Sequence, residues 1–277
     1  MARRGELVAR RWLPAVGLAE HGPVLLGVAA ERRGRCVWHV YEDLGDCPLS
    51  SGDAMGPRSV ERAVELIAEL HLRFAGHALL PECRLWGGDL GIHFFCVNVR
   101  DAMSALRPVR PPEDELSGTR RALTARLLER LAVLHGEEER RAQVMAQHGG
   151  PETLLHGDLW TTNTMVVAAD GVTRARLIDW DHAAVGPISY DLSTFLYRFP
   201  VHERDRVLDL YRQATEGVLT LPGRSELNVL FETAELARLA NMVIWPAIAA
   251  TEGHTRWAFE ELARVERWLA DLEPVLV

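Results

Sequence analysis

His156-Gly157-Asp158-Leu159-Trp160-Thr161-Thr162-Asn163, followed by Leu177-Ile178-Asp179-Trp180-Asp181, is the stretch on which the reading of this chain turns. It sets carboxylates and an amide between apolar, β-prone runs at residues 153–155, 164–167 and 174–178. Asp170-Gly171, between the last two runs, is a hairpin turn signal. Asp158, Asn163 and Asp179 each stand at the end of one run. If the runs form one hairpin, the three side chains converge. Two carboxylates and an amide are hard oxygen donors that suit Mg²⁺ rather than zinc. Capping of turns is the plainer use of Asp at such places.

Outward from this stretch, the chain is helical on the C-terminal side from Asp191 onward, with a kink or break expected at Pro246. On the N-terminal side, a short helix is predicted over residues 4–16, then two β-prone runs at 24–29 and 36–41 joined through Glu31-Arg32-Arg33-Gly34. An amphipathic helix follows over 59–75, with Val60, Val64, Ile67, Leu70, His71 and Phe74 on one stripe. Residues 76–118 read as irregular, and 91–97 fits a strand or a buried helical turn equally. Helices are predicted again over 119–134 and 137–148.

Composition narrows the function classes. The 277 residues carry a net charge of −8, which disfavours nucleic acid as a partner. Four dispersed cysteines form no CxxC pair, so a zinc site is not expected and a reducing, cytoplasmic setting is. No apolar run reaches the roughly 18–20 residues of a membrane span. All 31 basic residues are Arg; the sequence contains no Lys. Any chemistry that needs a Lys side chain cannot draw it from this sequence.

The His-Gly-Asp loop, Asn163, the Ile178-Asp179-Trp180-Asp181 run and the later Tyr190-Asp191-Leu192 together resemble the aminoglycoside phosphotransferase and choline kinase family. That resemblance implies an α+β, protein-kinase-like fold. It has a truncated small β-containing N-lobe (residues 1–46) and a large, mainly helical C-lobe (47–277) with a central catalytic β-hairpin. It implies Asp158 as the base toward the acceptor hydroxyl, and Asn163 and Asp179 as ligands of Mg²⁺ on the phosphates of ATP or GTP. His156 braces the loop and Asp191 anchors it through backbone N–H groups. Residues 37–44 resemble the adenine hinge, with Glu42 and Leu44 facing the purine edge. His71, on the following helix, is expected to pack rather than to react. The helices after 191 match the family's substrate-binding part.

For the acceptor side, Trp160 and Asp181 beside the loop, with Glu232 and Glu235 on one face of a late helix, form a candidate pocket. Carboxylates there suit a cationic acceptor, although a solvated helix face explains Glu232 and Glu235 as simply. Trp180 and Trp245 are further stacking candidates, Trp245 reading more as core.

The resemblance fails at the start of the chain. The helix bearing Glu6 matches the family's Glu-bearing helix, and the Gly-rich loop and phosphate-binding Lys that belong before it are absent. Arg3, Arg4, Arg10 and Arg11 read as plain surface, with phosphate contact as the alternative. Three readings follow: a phosphotransferase acting on a small molecule or a peptide Ser/Thr; a pseudokinase-like binding protein; or a chain whose recorded start is internal. A protein partner that completes the N-lobe fits the same gap.

Overall fold

The computed structural model describes residues 3–31, 36–49, 56–111, 113, 116–169, 172–253 and 255–277. The turns expected at Arg32–Gly34 and Asp170-Gly171 lie outside these residues. In chain order the elements begin with α1 (Arg4–Leu7), a π-helical turn (Val8–Trp12) and α2 (Leu13–Ala15). Next come β1 (Leu25–Ala30), β2 (Val37–Tyr41), α3 (Pro57–Phe74), α4 (Leu80–Gly87), α5 (Ile92–Leu106), α6 (Ser117–Gly136) and α7 (Glu138–His148). β3 (Glu152–Leu155), β4 (Thr164–Ala169), β5 (Val172–Leu177) and β6 (Ala184–Pro187) form the central β-rich stretch. The chain finishes with α8 (Ser189–Leu196), α9 (Val201–Ala214), α10 (Arg224–Thr251) and α11 (Thr255–Ala270).

The chain divides into two compact units. One comprises residues 1–90, 149–224 and 275–277; the other comprises 91–148 and 225–274. The N-terminal segment and the stretch from His156 to Asp181 share the first unit. In that unit α3 is the organiser. Pro57 sits at its first turn, and Val60, Val64, Ile67, Leu70 and Phe74 are buried as the stripe requires. It packs on α9 and on β3, β4 and β5.

Among the described residues there are three two-stranded antiparallel sheets: β1–β2, β3–β6 and β4–β5. The stretch from Glu152 to Pro187 is therefore built on two sheets rather than one hairpin. β6 was not read from the sequence, because all four of its residues are buried and it has no alternation to read.

The second unit is helical. Phe95, Val99, Ala102 and Leu106 of α5 meet Leu127 and Leu131 of α6, Ala240 and Val243 of α10, and Leu262 of α11. This corrects the reading of 76–118 as irregular. α4 and α5 lie there, joined by a short link containing Gly88 and Gly91, and the buried positions of α5 recur at helical spacing. α10 also runs unbroken through Pro246. A proline costs a helix interior about 3 kcal/mol. Val243, Ala247 and Ala250 are buried around it, and their burial works against that cost.

Candidate active site

The β4–β5 hairpin brings Asn163 and Asp179 together. Thr164 pairs with Leu177 in register, and the Ile178 N–H donates to the Asn163 carbonyl at 2.9 Å. Asn163 thus stands opposite Ile178, the residue before Asp179, at the open end of the hairpin. Asp158 arrives from the loop after β3. Asn163 Nδ2 donates to its carbonyl at 2.9 Å and to its Oδ2 at 3.3 Å. That amide orientation leaves Asn163 Oδ1 as the acceptor available to a cation. Asp179 has φ 61° and ψ 60°, and it is the one non-glycine with positive φ among the described residues. Such a conformation costs about 1–3 kcal/mol and persists where the surroundings enforce it.

The loop is braced from inside. Asp191 is fully buried, and its carboxylate accepts the His156 N–H at 2.7 Å and the Gly157 N–H at 2.9 Å. Its Oδ2 also lies 3.4 Å from His71 Nε2, while His71 Nδ1 meets the Tyr211 hydroxyl at 2.9 Å. Burial pushes the Asp191 carboxyl upward. The His71 hydrogen bond and charge, His156 and the Gly157 N–H outweigh it and hold the group below the ordinary carboxylate value. His156 is also fully buried and donates through Nε2 to the Ile178 carbonyl at 2.8 Å. Its ring lies 4.6 Å from that of Trp180. Burial lowers its pKa against the opposing pull of Asp191, so the imidazole is neutral near pH 7. Gly157 has φ +81°, and a Cβ there would overlap the His182 carbonyl. Only glycine fits this step of the loop.

Beside the hairpin lies a cavity of about 470 Å³. Its walls include Val8, Ala9 and Leu13 of the first helical run, Pro23, His39 and Tyr41, and the hinge 42–45; Met165 and residues 178–181 close it. The hinge strand pairs through its Glu42 N–H with the Val24 carbonyl. Among the described residues the Glu42 carbonyl and the Leu44 N–H have no intramolecular hydrogen-bond partner, so both are available to a planar ligand. The Glu42 side chain points away to Arg176 at 2.7 Å and to the Val24 N–H at 2.8 Å. The Tyr41 hydroxyl is pushed up by burial and then by the charges of Asp181, Glu6 and Asp179, which marks a negative field on that wall.

The acceptor-side residues behave differently from one another. Trp160 is exposed, and the Arg198 guanidinium stacks 3.8 Å above its ring. Asp181 is exposed beside Asp179. Glu232 and Glu235, in the second unit, are held in ion pairs with Arg141 and Arg238. Trp245 is 66% exposed rather than core. Sequence reasoning missed the buried His71–Asp191–Tyr211 network. The stripe position of His71 was visible; its polar partners, 120 and 140 residues away, were not. Among the described residues no group of three or more His, Cys, Asp or Glu is placed to hold a metal, and no helix is long and apolar enough to cross a membrane.

The fold and this arrangement define a kinase-type phosphotransferase class. The family model of the phosphotransferase enzyme family (APH) matches residues 4–230, and the chain belongs to that family. A choline/ethanolamine kinase family protein from Mesorhizobium loti superposes with a TM-score of 0.57 at 15% identity, over 98% of this chain and 81% of the other. An aminoglycoside phosphotransferase from Streptomyces rimosus, solved with ADP and streptomycin, gives 0.55 at 20% identity, over 85% and 82%. Plasmodium vivax ethanolamine kinase gives 0.59 at 12% identity, over 98% and 72%. A search of the curated proteins finds no match. These similarities establish the protein-kinase-like fold with its small N-terminal sheet.

Proposed function

We propose that this chain transfers the γ-phosphoryl group of ATP or GTP to a hydroxyl of a small molecule. The observation that carries the reading is the juxtaposition of Asp158, Asn163 and Asp179 next to a cavity that offers the Glu42 carbonyl and the Leu44 N–H. Asp158 takes the proton of the acceptor hydroxyl, and Asn163 Nδ2 holds its carboxylate in position. Asn163 Oδ1 and Asp179 are the oxygen donors that would hold Mg²⁺, whose chemistry here is to neutralise phosphate charge. Asp191 and His156 keep the loop in shape and touch neither nucleotide nor acceptor. Trp160 and Asp181 flank the acceptor side. Glu232 and Glu235 are held by Arg141 and Arg238, so the reading leans on the first pair. A peptide Ser or Thr is the macromolecular version of the same acceptor, and a protein partner over β1–β2 belongs to the same picture.

The test is Mg²⁺-dependent nucleotide consumption against a panel of amino alcohols, amino sugars and Ser/Thr peptides. Asp158→Asn is expected to lower turnover roughly 10²–10⁴-fold with an unchanged melting temperature. Near-native turnover in that variant removes Asp158 from the mechanism. The second reading, a binding protein with weak catalysis, is favoured by one observation. Glu42, Asp43, Asp179 and Asp181 line the cavity, and no Lys is there to oppose them. Saturable nucleotide binding without turnover across the panel would select it.

A further inference from the structure

We propose that the Arg4 guanidinium is the phosphate-binding cation of this site, standing where the sequence supplies no Lys; the inference rests on the phosphotransferase reading. Of the four arginines near the start, three have other engagements. Arg3 stacks 5.5 Å from the Trp86 ring, Arg10 pairs with Glu6 at 2.9 Å and Arg11 pairs with Glu82 at 2.6 Å. Arg4 alone reaches the metal-side segment, donating from NH1 to the Asp181 carbonyl at 2.7 Å. Its Nε is buried and has no hydrogen-bond partner. Apart from the nearby Asp181 charge, the guanidinium is hydrogen-bonded only to a neutral carbonyl and keeps an orphan N–H, and a phosphate oxygen makes a stronger partner than either. Arg176, at the hinge side of the cavity, is by contrast held by the Glu42 carboxylate and the Glu20 carbonyl, both at 2.7 Å.

Position agrees with the chemistry. The neighbouring Gly5 lines the cavity, and a Cβ placed on it would lie 2.9 Å from the Tyr41 hydroxyl and 3.6 Å from Asp181 Oδ1. Arg4 therefore stands at the edge of the cavity on the side of Asp179 and Asp181. The carboxylates Asp179, Asp181 and Glu6 repel a polyphosphate there. A cation in their midst, together with Mg²⁺, changes the sign of the interaction. Guanidinium suits the role because its planar fork meets two phosphate oxygens at once.

Calorimetry with adenosine, Mg-ADP and Mg-ATP tests the proposal on wild type, Arg4→Ala and Arg4→Lys. Arg4→Ala is expected to weaken Mg-ADP and Mg-ATP binding roughly ten- to hundredfold, as loss of a charge-assisted contact does. Adenosine binding should stay within about twofold, and Arg4→Lys should recover part of the loss. A purely structural arginine would disturb adenosine equally, because the same helical run lines the base-binding wall. Equal losses for adenosine and the phosphates therefore overturn the proposal. So does Arg4→Ala binding Mg-ADP as wild type does, an outcome that leaves the phosphotransferase reading intact. Wild type that binds none of the three ligands overturns both.

Discussion

A fully buried pair, Asp191 and His156, carries the shape of the loop, and pH should reveal it. His156 has its folded pKa below the value of about 6.5 it has in an open chain. Below that pH the unfolded chain takes up a proton that the folded chain refuses, so stability falls as the medium is acidified. Asp191 acts in the same direction lower down. Its depressed carboxyl stabilises fully above about pH 3.9, and that contribution is lost as pH falls through the folded value. Melting temperatures between pH 8 and pH 3 should therefore decline in two stages. His156→Gln should flatten the first stage and leave the second. Parallel profiles for variant and wild type would show that another group controls the upper decline.

At the scale of elements, the β4–β5 hairpin is the device that places the two proposed cation ligands, 16 positions apart in sequence, at one end of a sheet. Its register holds Asn163 beside Asp179, and the left-handed backbone at Asp179 sets the direction of the carboxylate. Asp179 contributes a full charge and Asn163 a dipole. Asp179→Ala should accordingly weaken Mg²⁺-dependent nucleotide binding more than Asn163→Ala does. Nucleotide titrations at several Mg²⁺ concentrations measure the difference. Wild-type affinity in both variants would mean that the ion is held elsewhere. The sheet β3–β6 does complementary work: its pairing carries the chain into the loop at His156 and closes the segment after Asp179.

At the scale of the molecule, β1–β2 stands out as an exposed two-stranded sheet. Leu26, Trp38 and Val40 are 65%, 54% and 55% exposed. Short, unpaired sheet edges beside apolar side chains invite further pairing. Light scattering over a concentration series should show self-association, and Trp38→Ser combined with Val40→Lys should suppress it. A wild-type chain that stays monomeric at high concentration would show that this surface is tolerated bare. The second unit owes part of its cohesion to Arg141, which is 2% exposed and binds Glu137, Glu232 and Thr233 beside the Phe95 ring. That engagement explains why the charged face carrying Glu232 reads ambiguously in sequence.

The amphipathic stripe of α3, the hairpin signal at Asp170-Gly171 and the run from His156 to Asp179 were legible because each depends on local chemistry. Periodicity, turn propensity and the choice of oxygen donors act over a few residues. The lack of Lys in these 277 residues was legible too. Other features depend on residues far apart in the chain. β6 shows no pattern because both its faces are buried. Asp191 meets His71 across 120 residues, and Arg4 meets Asp181 across 177. The first is selected by burial, where a polar group must find whichever partner packing brings to it, and the second by the tertiary path that carries the first helical run to the segment after Asp179. Local sequence signals name the residues capable of chemistry, and packing between distant segments selects the charges that each of them faces.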